Sequence, residues 1–312
     1  MIHFTLGLWI LTALFILFEK NMVKIIIWLG LISIIASLAF LLVGSPDVAM
    51  AEAAISTFTT TFFIICFEKY FGLRNVPDLL KEEEEVRKES IFKRTIFPLG
   101  FTLFLAGLFI YFIPENYFNA YLKELYLTRF NQDVGGQNAV TSIYLGYRVY
   151  DTLLEALMLI IAAVAVSHMS HFKETTVSDG QHSEVEKSGI ALILLRMVAP
   201  LTVLFGTYLI ANGFITAGGG FQGGLAVASF FIFRYMVYNI YDVRIERINK
   251  LEEIVFVAIT ILAVLIVFQG AMSHLPPIFQ NIYLILMNGL IGAKVACGFI
   301  ILFYRYVAIE RK

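Results

Sequence analysis

Long apolar runs separated by short polar stretches are the dominant pattern of this chain. A helix needs about 20 consecutive apolar residues to cross the hydrocarbon core of a bilayer. Measured against that length, the pattern predicts an all-α integral membrane protein. About nine transmembrane helices are expected, at residues 2–18, 22–43, 47–67, 95–113, 143–166, 189–211, 219–239, 251–270 and 281–306.

The composition supports the same class of protein. Hydrophobic residues make up 59% of the chain and charged residues 15%, with a mean hydropathy of +0.80, whereas about a quarter of a soluble domain is charged. Cys66 and Cys297 both lie in apolar runs, so no disulfide framework is expected. The first run lacks a basic leader and a small-residue cleavage site, which predicts a retained helix and not a signal peptide.

The lysines and arginines predict how the helices are oriented, because cytoplasmic loops are enriched in both residues. With the N-terminus outside and the C-terminus inside, the inner segments hold 18 of the 23 lysines and arginines. These inner segments are residues 19–24, 68–94, 167–188, 234–250 and 305–312.

Two charged linkers divide the chain into three hydrophobic blocks. The predicted blocks are residues 1–93 with three helices, 94–186 with two helices and a long outer loop, and 187–312 with four helices. The linkers are interpreted as solvated connectors, and the first could also lie as a surface helix against a partner.

A carboxylate inside the third predicted helix is the first candidate for function. Glu52 lies five residues after Asp47, about 7–8 Å further into the membrane at ~1.5 Å per residue. Asp47 suits the first turn of a helix, where the dipole favours a negative charge. Ser56, Thr59 and Thr60 share a face with Glu52. Intramembrane acids usually mark ion or proton paths, although Glu52 could also anchor neighbouring helices by hydrogen bonding.

The fifth predicted helix carries Arg148, Asp151 and Glu155 at positions i, i+3 and i+7 of one face. Arg148 and Asp151 can pair within one turn. Glu155 is left without a cation on its own helix, near the middle of the span. It is expected to be a buried acid that either exchanges protons or remains neutral and hydrogen-bonded to a neighbouring helix.

Lys294 lies at the midpoint of the last predicted span, with no acid within reach on its own helix. It needs a carboxylate from another helix or subunit, or burial must hold it neutral. A proton relay and a static ion pair both remain open. Arg196 lies nearer the inner end of its helix, where its side chain can extend to the interface.

The glycine-rich stretch "TAGGGFQGGLAVASFF" contains Gly218, Gly220 and Gly223 in the spacing of a dinucleotide-binding loop. That motif requires a preceding strand, whereas apolar helices flank this stretch on both sides. Gly220 and Gly224 are four residues apart, as are Gly219 and Gly223, which is the small-residue spacing of closely packed membrane helices. Tight packing is the main interpretation, with a pore-lining loop as the alternative.

Cofactors are not expected in this chain. His168 and His171 form an H-x-x-H pair without acidic or cysteine ligands beside them, so no metal site is predicted there. The chain has no Walker motif, haem-attachment sequence or iron–sulfur cysteine pattern. It contains no evident catalytic centre, so any electron-transfer chemistry would belong to partner subunits.

Three stretches resemble one family of membrane proteins. "SPDVAMAEAAIS" resembles the "PDVA-x-x-EA" sequence of the C-terminal region of the large Mrp antiporter subunit and of a small subunit of membrane-bound hydrogenases. "QNAVTSIYLGYRVYDTLLEALMLIIAAVAV" resembles the next element of those complexes. "LLRMVAPLTVLFGTYLIANGFITAGGGFQGGLAVASFF" is similar to the antiporter B subunit. That family usually has a histidine and a proline where this chain has Phe214 and Ala217, so a histidine-based role in that loop is not expected.

The resemblance implies a natural fusion of small subunits from a sodium- and proton-translocating membrane module in a prokaryotic cytoplasmic membrane. Its expected partners are the bilayer, other antiporter-module subunits, complex-I-like pump subunits and hydrogenase or other redox subunits, but no nucleic acid. Na⁺ and H⁺ are the expected transported ions. The alternative is a structural scaffold subunit. The residues that the ion route would use are Glu52, Glu155, Lys294, Asp151, Arg148, Thr59 and Ser56.

Overall fold

The computed structural model describes residues 1–19, 21–71, 97–112, 120–169, 189–238, 244–268 and 272–308. Within these ranges the chain is almost entirely helical and no strand occurs. The predicted all-α class is therefore confirmed. The α-helices are α1 (Ile2–Phe18), α2 (Met22–Leu42), α3 (Pro46–Phe71), α4 (Phe97–Phe112), α5 (Ala120–Asp133), α6 (Ala139–Ser142), α7 (Val149–Met169), α8 (Gly189–Asn212), α9 (Gly220–Tyr238), α10 (Ile245–Ala263) and α11 (Pro277–Ala308).

Helices occur at each of the nine predicted positions, but they differ in length and polarity. Among the described residues, five helices are long and apolar enough to cross a membrane. The chain is thus a multi-pass membrane protein, while the count of nine spans and their orientation remain predictions. The five spans are Met22–Leu42, Pro46–Glu68, Val149–Met169, Leu192–Asn212 and Pro277–Val307.

The fifth predicted span is not one continuous α-helix. It begins with a π-helical segment, Ile143–Tyr147, followed by a turn at Arg148 and then by α7. Arg148 has φ −120° and ψ 35°, which takes it out of the helical region. Its backbone N–H donates to the Ile143 carbonyl at 2.8 Å, the i→i+5 bond of a π turn. Arg148 therefore precedes α7, which corrects the expectation that it shares a continuous helix face with Glu155.

Part of the predicted outer loop is also helical. Helix α5 (Ala120–Asp133) carries Lys123, Glu124 and Arg129 within two and a half turns. A search for long apolar runs overlooks such a helix because it is too polar to span a membrane. A second π-helical segment, Val264–Phe268, follows α10 directly.

The described chain divides into two compact units, one of Met1–Cys66 with Arg129–Lys312 and the other of Phe67–Thr128. In the first unit, helices α7, α8, α9 and α10 all pack against α11. Of the residues in the most apolar stretch of α11, 67% are buried, against 11–22% for the other four spans. Helix α11 is therefore the centre of this unit. Its most deeply buried side chains are Tyr283, Leu284, Met287, Asn288, Lys294, Ile301, Phe303, Tyr304 and Val307.

Glycines allow α9 to approach its neighbours at backbone distance. A Cβ atom added at Gly220 would lie 2.7 Å from the Asn288 carbonyl oxygen, and one at Gly224 would collide with the Gly292 carbonyl oxygen of α11. On another side of α9, a Cβ atom at Gly223 would lie 2.6 Å from the carbonyl oxygen of Gly206 in α8. Only residues without side chains fit at these crossings.

We predict that Gly224→Ala reduces the free energy of unfolding by about 1–3 kcal/mol, because the added methyl group meets backbone atoms that cannot rotate away. The thermal unfolding midpoint of the purified protein in detergent measures this loss. Gly289→Ala is the matched control, since a Cβ atom there meets nothing within 4 Å. An equal midpoint for both variants would contradict the packing assigned to Gly224.

Candidate functional site

A buried ion pair joins α10 and α11. The Nζ atom of Lys294 contacts the Glu252 carboxylate, and the two residues are only 1% and 4% exposed. The structure thus supplies Lys294 with the carboxylate from another helix that its position requires. A buried charge is costly unless it is paired, and this pair meets that condition for both groups.

Sequence reasoning overlooked Glu252, which stands beside Glu253 in the polar first half of α10. In the predicted span 251–270 it would lie in the first turn, where the dipole favours a carboxylate, whereas α10 begins two turns earlier at Ile245. The helical period did contain a signal, because Glu252 shares a face with the buried residues Val255, Ile259 and Ala263. Glu253 lies on the exposed face of the same helix.

A cavity of about 300 Å³ lies between α7, α9 and α11. Most of its lining is apolar, and its polar lining residues are Thr152, Glu155 and Lys294. Lys294 therefore contacts Glu252 and also borders the space that Glu155 borders. The other lining residues are Ala156, Met158, Leu159, Ala162, Phe221, Ile291, Val295 and Phe299.

Glu155 borders this cavity but is exposed at the surface of the chain. This chain alone therefore does not enclose Glu155, and the expectation of a buried acid stays a prediction. Leu154 and Met158, its neighbours on α7, are also exposed, so this face of the helix meets lipid or another protein. No described residue forms a hydrogen bond or ion pair with Glu155.

Arg148 and Asp151 form the ion pair that their spacing predicts. Both side chains are more than half exposed, so the pair lies at the surface of the chain. Neither residue borders the cavity between α7, α9 and α11. Exposed pairs of this kind contribute little to stability.

The hydroxyl residues that share a face of α3 with Glu52 make two kinds of contact, one with α2 and one within α3. The Ser56 hydroxyl donates to the Gly30 carbonyl of α2 at 3.3 Å, and Thr60 lies directly against Gly30. Thr59 donates to the Ile55 carbonyl within its own helix at 2.8 Å. Glu52 is half-buried, has no hydrogen bond or ion pair with any described residue, and does not border the cavity near Glu155.

Asp47 has more partners than a first-turn position explains. Its Oδ1 atom accepts hydrogen bonds from Asn138 Nδ2 at 3.0 Å and from the Gly218 backbone N–H at 3.1 Å. Asn138 Nδ2 also contacts the carbonyls of Gly213 and Thr216. Gly218 has a φ of +147°, a value that favours glycine. Asp47 thus links α3 with the start of α6 and with the loop before α9.

A second buried polar cluster lies between α9, α11 and the π-helical segment Ile143–Tyr147. Asn288 Oδ1 accepts from the Tyr144 hydroxyl at 2.7 Å and from the Gly220 backbone N–H at 3.1 Å. Asn288 is fully buried, and its Nδ2 atom has no partner among the described residues. Gly219 lies against the Tyr144 hydroxyl, so a side chain at this position would collide with that hydroxyl.

Metal ligands are not clustered in the part of the chain that the structure describes, where no three histidine, cysteine, aspartate or glutamate side chains could hold one ion. His168 is exposed at the end of α7, with its Nδ1 atom 3.1 Å from the Val164 carbonyl. His171, its predicted companion, lies outside the described residues.

These features define a multi-pass membrane protein with a charge cluster inside its central helix packing. Residues 190–310 match the family model described as a domain related to the MnhB subunit of Na⁺/H⁺ antiporters. Residues 7–70 match the MbhD family model, which describes a component of MBH. The chain is therefore related to subunits of Mrp-type antiporters, as its sequence motifs predict.

Two relatives among curated proteins carry the name "Putative antiporter subunit mnhA2". The one from Staphylococcus haemolyticus is 27% identical over 53% of this chain and 19% of its own length. The one from Staphylococcus aureus strain MRSA252 is 28% identical over 54% of this chain and 20% of its own length. The chain thus spans about a fifth of the length of these relatives.

Two solved structures share the fold. The Mrp complex from Dietzia sp. DQ12-45-1b superposes with a TM-score of 0.67 and 17% identity, covering 95% of this chain and 34% of the other. The membrane-bound sulfane sulfur reductase, an archaeal respiratory membrane complex, superposes with a TM-score of 0.58 and 22% identity. That match covers 71% of this chain and 100% of the other. At these identities the likeness is one of fold.

We predict that Asp47→Ala destabilises the protein by about 1–3 kcal/mol, because the buried Gly218 N–H loses its acceptor and Asn138 Nδ2 loses one of its three. Asp47→Asn retains one acceptor oxygen, so its loss should be clearly smaller. Thermal unfolding of both variants in detergent checks the order. Equal losses for the two variants would mean that the hydrogen bonds to Oδ1 do not carry the effect.

Proposed function

We propose that this chain is a membrane subunit of an Mrp-type Na⁺/H⁺ antiporter module and contributes intramembrane carboxylates to cation and proton translocation. The observation that carries the proposal is the cavity that Glu155 and Lys294 share. A carboxylate and an ammonium group that line one cavity can exchange a proton. A cation that enters the cavity can also replace the proton on the carboxylate. Charged groups are rare within membrane spans and usually serve ion paths or proton relays.

Glu155 is the exchange site in this proposal. It borders the cavity on one side and the exposed face of α7 on the other. An acid in that position can receive an ion from a neighbouring subunit and present it to the interior of this chain. Arg148 and Asp151, paired near the start of α7, provide a local charge balance at the surface.

Glu52 is the second acid of the proposed route, with Ser56 and Thr59 beside it on α3. Hard cations prefer oxygen ligands, and a carboxylate with hydroxyl and carbonyl oxygens supplies such ligands. The separation of Glu52 from the cavity supports a separate binding position for it. Glu52 and Glu155 would then act at different points of one module.

The setting proposed for this activity is a larger assembly in a prokaryotic cytoplasmic membrane. We propose nine spans with the N-terminus outside and the C-terminus inside, and an origin in three fused subunits with blocks 1–93, 94–186 and 187–312. Expected partners are antiporter-module and complex-I-like subunits, with redox subunits if the module serves a respiratory complex. Identification of the proteins that co-purify with the tagged chain in mild detergent distinguishes a redox-driven complex from an antiporter without redox subunits.

A structural scaffold is the second candidate function. The buried Lys294–Glu252 pair and the hydrogen bonds of Asp47 favour it, because both hold separate helices together. In that case the acids would fix helix packing, and ions would pass through partner subunits. The two candidate functions predict different results when a glutamate is replaced by glutamine, which removes the charge and keeps the shape. An ion route predicts loss of transport, and a scaffold predicts loss of assembly.

We predict that Glu155→Gln lowers Na⁺-driven proton transport by about tenfold or more, because an amide can neither bind and release a proton nor carry a negative charge. Glu52→Gln should also lower it. Transport is measured in membrane vesicles that contain the complete complex, with assembly checked by co-purification. Glu253→Gln, an exposed acid on α10, is the matched control and should transport normally.

Loss of assembly in Glu155→Gln and Glu52→Gln would favour the scaffold function instead. Normal assembly with normal transport in both variants would contradict the proposed route.

A further inference from the structure

The proposed exchange at Glu155 uses Lys294 but assigns no role to Glu252, the buried partner of this lysine. Lys294 and Glu252 lie deeper in the helix packing than Glu155, at 1% and 4% exposure. Lys294 borders the cavity of Glu155 and also contacts Glu252. The lysine is therefore the group that connects the two carboxylates, which lie on different helices.

Stability alone is a poor reason for such a pair. Removing two charges from water costs free energy that their attraction only partly returns, and apolar residues of similar volume often serve as well or better. The surroundings on α11 already provide good packing, with Ile291, Val295 and Ile300 buried along the same helix. An ion pair at this position is therefore better explained by a function that needs charged groups than by stability.

We propose that Glu252 is a further acid of the ion route and that Lys294 passes protons between Glu252 and Glu155. The inference rests on the proposed function, since it uses the exchange at Glu155. In the first step, a proton leaves Lys294 Nζ for the Glu155 carboxylate, which gives a neutral amine and a neutral acid. In the second step, Glu252 takes up a proton from water at the polar first half of α10 and gives it to the amine, which restores the ammonium group beside a carboxylate. The neutral Glu155 then releases its proton at the exposed face of α7.

The cavity supplies the path for the first step. A water molecule needs roughly 10–15 Å³ of such space together with two to four polar partners, and this cavity measures about 300 Å³. Its polar lining groups, Thr152, Glu155 and Lys294, can hold several waters in a short chain.

The groups around the lysine fit this assignment. Glu155 borders the same cavity from α7, Glu252 contacts the lysine from α10, and Cys297 lies one turn further along α11 itself. Helix α9 contributes Phe221 to the cavity, which carries no titratable group. One cation thus contacts one acid and shares a cavity with a second, so a proton that leaves Nζ through the cavity would leave Glu252 without a charged partner.

The test separates a relay from a static ion pair. The double variant Glu252→Gln/Lys294→Met removes both charges together, so no unpaired charge remains buried. It should assemble normally in the complete complex, yet lose Na⁺-driven proton transport by about tenfold or more, as Glu155→Gln does. The matched control is Glu253→Gln/Lys250→Met on the exposed face of α10, which should transport normally. Normal transport by the Glu252→Gln/Lys294→Met complex would overturn the inference.

Lys294→Arg provides an independent variant. Arginine keeps the positive charge and can pair with Glu252, but it does not release its proton in proteins. A static pair predicts retained transport, and a relay predicts loss with normal assembly. Failure of both the double variant and Lys294→Arg to assemble would assign the pair to packing and overturn the relay.

The outcome also distinguishes this inference from the function on which it rests. If Glu155→Gln is inactive while the double variant transports normally, only the relay fails. If Glu155→Gln transports normally, the proposed exchange site itself fails.

Discussion

The approach of α9 to α11 at backbone distance is the contact on which the rest of the structure depends. Gly220 and Gly224 lie against the carbonyl oxygens of Asn288 and Gly292, where any side chain would collide. This contact helps to make α11 the most buried helix among the described spans. A lysine at the midpoint of such a helix cannot extend to water, so Lys294 must find its counter-charge inside the packing. The glycines of one helix thereby create the need for Glu252 on another.

The acids Glu252, Glu155 and Asp47 differ in how their charge is balanced. Glu252 is buried and paired with Lys294, whereas Glu155 borders the cavity that Lys294 lines and has no partner among the described residues. Asp47 is buried without a cation among the described residues, but it accepts hydrogen bonds from Asn138 and Gly218. Hydrogen bonding to fixed donors suits a structural link, and an unpaired acid beside a cavity suits exchange. The difference in hydrogen bonding therefore favours a structural role for Asp47 and supports the ion-exchange role proposed for Glu155.

The positions of the helices could be predicted from the sequence, because a long apolar run in a bilayer must satisfy its own backbone hydrogen bonds. Lys294 could also be singled out, since a charge at mid-span is costly wherever it points. Glu252 could not be assigned in the same way, because its burial depends on which face of α10 meets α11. Asp47 has a sufficient local explanation at a helix start, while its main side-chain partner Asn138 is 91 residues away. Local patterns thus locate helices and costly charges, but not the pairings between them.

The site also depends on keeping the predicted blocks together. Glu155 belongs to the second predicted block, whereas Lys294 and Glu252 belong to the third. Asp47 of the first block meets Asn138 of the second and Gly218 of the third at a single junction. Covalent linkage gives such contacts a high effective concentration that separate subunits would have to reach by binding. A relay between Glu252 and Glu155 would cross a block boundary, so its geometry would be set by the contacts between the blocks. For that reason, weakening the junction at Asp47 should disturb transport even though Asp47 lies outside the proposed ion route.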